Sequence, residues 1–279
     1  MANVRANGVE LRVNRYRVGD ADDDRPVIVF IHGLGIVDHS GLSFTLGMPL
    51  APVADAILYA LRGHGHSEVT PSGYRVVDHV ADLVALLDAL DVDVPVHLVG
   101  CSYGGAVAVA TAVRHPERIA SLFLLDPVIP VPGWPQRILP MLEAAAAQLS
   151  GDYTVEDVMA ALGGSSRRKA AAVAQRAERL LLNTTVLDDV RSEPALDADD
   201  FARITCPVQA VYGDQSEMYP LADSLTALVP GAEVHVIPGA DHLSVFGHTR
   251  EVGALIRRAV GLPPSEAAAD LVAGASRDA

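Results

Sequence analysis

Cysteine is nearly absent. Cys101 and Cys206 are the only two in a chain of 279 residues, too few for a disulfide framework, and each sits at the end of an apolar run where a buried free thiol is expected. Basic charge is also short: 21 Lys and Arg stand against 35 Asp and Glu, a formal net charge of −14 spread from end to end. Such a surface argues against nucleic acid and anionic membranes as partners. Residues 1–20 hold no continuous apolar core and no small-residue cleavage site, so a signal peptide is not expected. The nearly uncharged run 96–113 could pass for a membrane span, but it carries His97, Ser102, Tyr103 and paired glycines mid-run and reads as strand, turn and helix. No His/Cys/Asp cluster has metal-ligand spacing, and the glycines make neither a dinucleotide nor a Walker pattern. Neither metal nor cofactor is therefore expected, and a cytoplasmic location is the default.

What is present suits one large α/β core or a core with an insertion. Half the residues are apolar and 20% are charged, which makes a sizeable buried interior possible. Residues 9–18 alternate as a strand does, and an Asp-rich turn over 19–25 follows. Continuous β-branched runs at 27–31, 54–61, 94–99 and 119–125 have the character of strands buried on both faces of a parallel sheet. Between them, 78–90 places Val80, Leu83, Val84, Leu87 and Leu90 at helical spacing, and 106–115 is a second helix. From Val128 the pattern becomes purely helical, with helices expected over 134–149, 154–162 and 167–182. The strand–helix rhythm resumes at 207–212, with a helix over 221–229, a strand over 234–237 and a last helix over 249–260. The expected organisation is a mostly parallel, doubly wound sheet built from 1–127 and 199–262, a helical cap inserted at 128–198, and a frayed tail over 263–279.

The sharpest local pattern is Gly100-Cys101-Ser102-Tyr103-Gly104, followed by Gly105. It follows a buried strand and precedes a small-residue helix, the setting that forces a serine onto a strained turn. Ser102 would then lie at the positive end of a helix, where developing negative charge is favoured.

The chain resembles the α/β-hydrolase superfamily over about 9–260. The matching segments occur in the family's order: Ile31-His32-Gly33-Leu34-Gly35, Leu61-Arg62-Gly63-His64-Gly65-His66-Ser67, the Ser102 turn, Arg114-His115-Pro116-Glu117-Arg118, and Gly239-Ala240-Asp241-His242. The resemblance implies that Ser102 is a nucleophile, that His242 is its base among ten histidines, and that the backbone N–H groups of Leu34 and Tyr103 form an oxyanion hole. The acid departs from the commoner pattern. At the usual Gly-x-x-Asp spacing the chain has Gly213-Asp214-Gln215-Ser216, and a serine there carries no charge. Some members of the family carry the acid after the preceding strand, where this chain has Asp126; Asp214 and Glu217 remain the other choices. Trp134, Val128, Ile129, Met141, Leu142, Met218 and Leu243 are candidates for an apolar acyl wall, or plain core residues.

The expected activity is a serine hydrolase acting on a carboxylic ester, thioester or lactone of a small acyl substrate. A C–C bond hydrolase or acyltransferase on the same residues is the alternative, and a non-hydrolytic binding or cyclase scaffold the third. An aspartate-nucleophile enzyme is excluded by Ser102 itself. The oligomeric state is not legible in the sequence.

Overall fold

A computed structural model describes residues 1–18, 24–35, 39–151 and 167–264. The turn expected at 19–25 lies mostly outside these residues, and the helix expected over 154–162 and nearly all of the 263–279 tail lie outside them as well. Eight strands form one sheet: β1 Ala2–Ala6, β2 Val9–Tyr16, β3 Val27–Ile31, β4 Asp55–Tyr59, β5 Val96–Cys101, β6 Ile119–Leu125, β7 Val208–Gly213 and β8 Glu233–Ile237. Their order is β1-β2-β4-β3-β5-β6-β7-β8; β2 runs antiparallel to both β1 and β4, and every other pair is parallel. The four β-branched runs became β3 to β6, buried along nearly their whole length.

Because neighbouring residues of a strand point to opposite faces, those runs feed two separate cores. Val29, Ile31, Ile57, Tyr59, Leu98 and Leu124 face α1 (Val76–Ala89) and α2 (Tyr103–Arg114). Ile28, Phe30, Leu58, Val99 and Phe123 face the opposite way.

Between β6 and β7 the elements among the described residues are helices: α3 Pro135–Ser150, α4 Arg167–Asn183, α5 Val186–Arg191 and α6 Ala198–Phe201. After β7 come α7 Leu221–Leu228 and α8 Thr249–Ala259, and Val252 and Ile256 of α8 close the second core. Residues just after α5, and α5 itself, are tied to the start of α1. Asp189 accepts from the Tyr74 N–H at 2.9 Å and Glu193 from the Val76 N–H at 3.0 Å, so two carboxylates meet the donor-rich end of that helix. Burial, the largest influence on Glu193, pushes its carboxyl above the usual range despite that hydrogen bond.

Two differences from the sequence reading have local causes. Strand β1 was not expected: it is short and largely exposed, with Val4 its one large apolar residue, so its apolar signal is too weak, and it is recruited by antiparallel pairing with β2. Helix α2 starts at Tyr103 rather than Ala106, because Gly104 and Gly105 serve as contact surface inside its first turn instead of forming a loop. Among the described residues, no helix is long and apolar enough to cross a membrane.

One buried ion pair joins the layers near the site. Arg62, in the loop after β4, binds both carboxylate oxygens of Asp82 on α1 at 2.7 and 2.5 Å, and Asn7 adds a third hydrogen bond at 2.9 Å. Removing one partner strands the other charge in the interior. Asp82→Ala should therefore lower the unfolding free energy by about 3–5 kcal/mol in urea denaturation, while the paired change Arg62→Met with Asp82→Leu should lose much less.

Candidate active site

Strand β5 ends at Cys101 and α2 begins at Tyr103, so Ser102 alone turns the chain. It does so with φ 51° and ψ −121°, a conformation that costs a non-glycine residue about 1–3 kcal/mol. The neighbours hold it there. The Ser102 N–H donates to Leu125 O at 3.1 Å, and Ser102 O accepts from Gly105 and Val128 at 2.8 and 3.0 Å. The glycines are required by contact: a Cβ on Gly100 would lie 2.6 Å from Gly104 O, and one on Gly104 would collide with Ile31 O.

His242 stands on the loop after β8, its Nε2 3.0 Å from Ser102 Oγ and its Nδ1 2.5 Å from Asp126 Oδ2. A carboxylate only accepts, so Nδ1 carries the proton and the Nε2 lone pair faces the serine hydroxyl. Asp126 directly follows β6, is fully buried and has φ 42°, a second strained position at the same sheet edge. Its Oδ1 accepts from the Gly213 N–H at 3.1 Å and its Oδ2 from the Ser216 hydroxyl at 2.5 Å. Of the three carboxylates left open by the sequence, Asp126 is the one in hydrogen-bond contact with His242. Asp214 instead accepts from the Gly239 N–H at 2.7 Å, and Glu217 is exposed.

The loop that carries His242 has its own brace. Asp241 Oδ1 accepts from the N–H groups of Ser244 at 2.7 Å and Leu243 at 3.1 Å. The Ser244 backbone contact, ahead of the Ser244 side chain, holds the Asp241 carboxyl below its usual range. The sequence carried this signal as an aspartate three residues before a serine.

The segment after β3 is fixed by two histidines whose rings meet edge to face at 5.0 Å. His32 Nε2 accepts from the Leu61 N–H and His64 Nε2 from the Gly35 N–H, both at 3.0 Å. Each ring donates Nδ1–H to a backbone carbonyl, His32 to Gly33 and His64 to Arg62. A Cβ on Gly33 would lie 3.2 Å from Ser102 Cβ, so this segment runs directly past the serine and Leu34 follows at once. Tyr103 opens α2, so its N–H has no acceptor within the helix.

A family model described as alpha/beta hydrolase fold matches residues 26–249. The chain belongs to the α/β-hydrolase family. The pimeloyl-[acyl-carrier protein] methyl ester esterase of Chromobacterium violaceum is 29% identical over an alignment of 246 residues that covers 81% of this chain and 91% of that protein. A 2-hydroxy-6-oxononadienedioate/2-hydroxy-6-oxononatrienedioate hydrolase of Paraburkholderia phymatum is 25% identical over 273 residues, covering 91% and 92%. Among solved structures, Est816, described as an N-acyl homoserine lactone degrading enzyme, has 25% identity and a TM-score of 0.68, covering 92% of this chain and 99% of its own.

Within this α/β-hydrolase the apolar candidates divide. Val128, Trp134 and Met218 are fully buried, and the Trp134 ring lies 6.1 Å from that of Tyr103. Met141 and Leu243 face solvent, 43% and 74% exposed. Met141 looks outward from α3, whereas its neighbour Leu142 turns inward to within 3.4 Å of where a Gly35 side chain would begin. The site residue that the sequence undervalued is Ser216, read as a vacant acid position and found bonded to Asp126.

Cys101 adjoins the α/β-hydrolase's serine in sequence but points into the second core, where burial pushes its thiol up to about 12. A neutral buried thiol is a poor nucleophile. Alkylation with iodoacetamide at pH 8, read by peptide mass spectrometry, should leave Cys101 unmodified in the folded enzyme and label it once the chain is denatured.

Proposed function

We propose that this chain is a serine hydrolase that cleaves a carboxylic ester, thioester or lactone through an acyl-enzyme intermediate. The observation that carries the reading is the hydrogen-bonded line from Ser102 Oγ to His242 Nε2 and from His242 Nδ1 to Asp126, at 3.0 and 2.5 Å. His242 takes the hydroxyl proton as Ser102 attacks the acyl carbon. Negative charge develops on the former carbonyl oxygen and is met by the N–H groups of Leu34 and Tyr103, the second of them at the positive end of α2. His242 then gives its proton to the leaving group, and the same ring activates water for deacylation. Asp126 holds the ring in one tautomer and stabilises its cationic form.

The helices between β6 and β7 act in this reading as a cap over the C-terminal sheet edge, the edge where open α/β sheets bind ligands. Val128, Trp134 and Met218 back the acyl side of the site. A free pair of cysteines suits a reducing compartment, and we place the enzyme in the cytoplasm with a small acyl substrate. The full-length similarity to a dienedioate hydrolase favours C–C bond cleavage on the same three residues as the second reading.

A fluorophosphonate probe together with short p-nitrophenyl esters separates the possibilities. Covalent labelling of Ser102 with ester turnover is the expected outcome. Labelling without turnover of any ester would favour C–C cleavage, and an unlabelled Ser102 would overturn both readings. In the same ester assay Asp126→Asn should lower kcat by about 10⁴-fold, while Glu217→Gln stays close to the parent rate. A near-parent kcat for Asp126→Asn would remove it from the acid role.

A further inference from the structure

Asp126 supplies one carboxylate, yet its aim is set almost entirely from the neighbouring strand. Its Oδ1 is held by the Gly213 N–H at the end of β7, and its Oδ2 by the hydroxyl of Ser216 in the turn that follows. That Oδ2 is the same oxygen that receives His242 Nδ1–H. We propose that Ser216 is a positioning residue of this enzyme: its hydroxyl fixes the Asp126 oxygen to which the base is anchored. The inference rests on the serine-hydrolase reading above and deepens it.

The hydroxyl is itself oriented. Met218 N–H donates to Ser216 Oγ at 3.1 Å, which occupies a lone pair and leaves the proton to point at Asp126. The backbone around it is closed by Ser216 N–H to Gly213 O at 3.1 Å. Ser216 is 5% exposed, so water has little access to replace it. Asp126 needs this help because its own backbone, at φ 42°, sits in a region that local sterics do not favour. With both oxygens held, the carboxylate plane cannot rotate, and the ring it anchors keeps Nε2 on the serine. No proton leaves Ser216 in this role. The hydroxyl donates throughout, and the charge that forms on His242 during attack is met by a carboxylate that does not have to reorient.

A serine that merely closes the turn would also contact Met218, so the test uses readouts that turn closure would not move. In the full chain, Ser216→Ala should slow fluorophosphonate labelling of Ser102 and kcat on p-nitrophenyl acetate by about tenfold, the scale of one hydrogen bond to a charged group, with KM unchanged. The low-field proton resonance of His242 Nδ1–H should move in Ser216→Ala, and Ser216→Thr should return both rate and resonance toward the parent. Parent-like rates with an unmoved resonance in Ser216→Ala would overturn the proposal. If Ser216→Ala fails to fold by circular dichroism, Ser216→Cys, which keeps the volume and weakens the donor, takes its place: slowed labelling supports the role and parent-like labelling overturns it. Asp126→Asn, assayed in parallel, separates the two levels. Its retention of activity would sink the triad itself, whereas an inactive Asp126→Asn beside a parent-like Ser216→Ala would sink only the role of Ser216.

Discussion

The close approach of the first turn of α2 to strands β3 and β5 is the constraint on which the site depends. There is no space for a Cβ at Gly100 or Gly104, since each would meet backbone. That contact lets the chain reverse from strand to helix over one residue, and it forces Ser102 into a positive φ. The strain is held by the bonds from Ser102 to Leu125, Gly105 and Val128, so the sheet and helix together maintain what the residue alone would relax. Everything else at the site is arranged around an Oγ that this packing has fixed.

The three side chains then come from three different strand ends, brought side by side by the order β5-β6-β7-β8. Ser102 follows β5, Asp126 follows β6, and His242 lies on the loop beyond β8. Between them, β7 contributes no member of the line but supplies the N–H of Gly213 and the hydroxyl of Ser216 to the acid. A fully buried carboxylate is costly unless it is hydrogen-bonded on every side, and here each oxygen has a donor from β7 in addition to the histidine. The same bonds therefore orient Asp126 and offset the cost of its burial.

Other histidines near the site have different work. His32 and His64 use Nε2 as an acceptor for backbone N–H groups, which requires neutral rings and fixes the segment of Gly33 to Gly35 beside the serine. His79 is packed between the rings of Tyr74 and Tyr103, and burial, reinforced by Arg62, drives it well below the usual imidazole range.

The sequence by itself determined the fold class and marked Ser102 and His242 as the candidates. Buried β-branched runs alternating with helical spacing dictate a parallel sheet, and a serine among glycines between strand and helix dictates the strained turn, because both signals are local. It also set most element boundaries, failing at β1, which depends on pairing with β2, at α2, whose glycines are contact surface, and at the helical residues 40–50, for which it offered no helix. Tertiary structure alone decided which carboxylate meets His242. Asp126 directly follows β6 and Asp214 directly follows β7, whose Leu125 and Val211 pair, while Glu217 lies in the turn beyond β7. Which one meets His242 is a matter of a few ångströms across the sheet, and no spacing along the chain encodes that distance. The same holds for Met141 and Leu243, apolar in sequence and solvent-facing in space, and for Ser216, whose hydroxyl acquires its part only when β6 is laid beside β7.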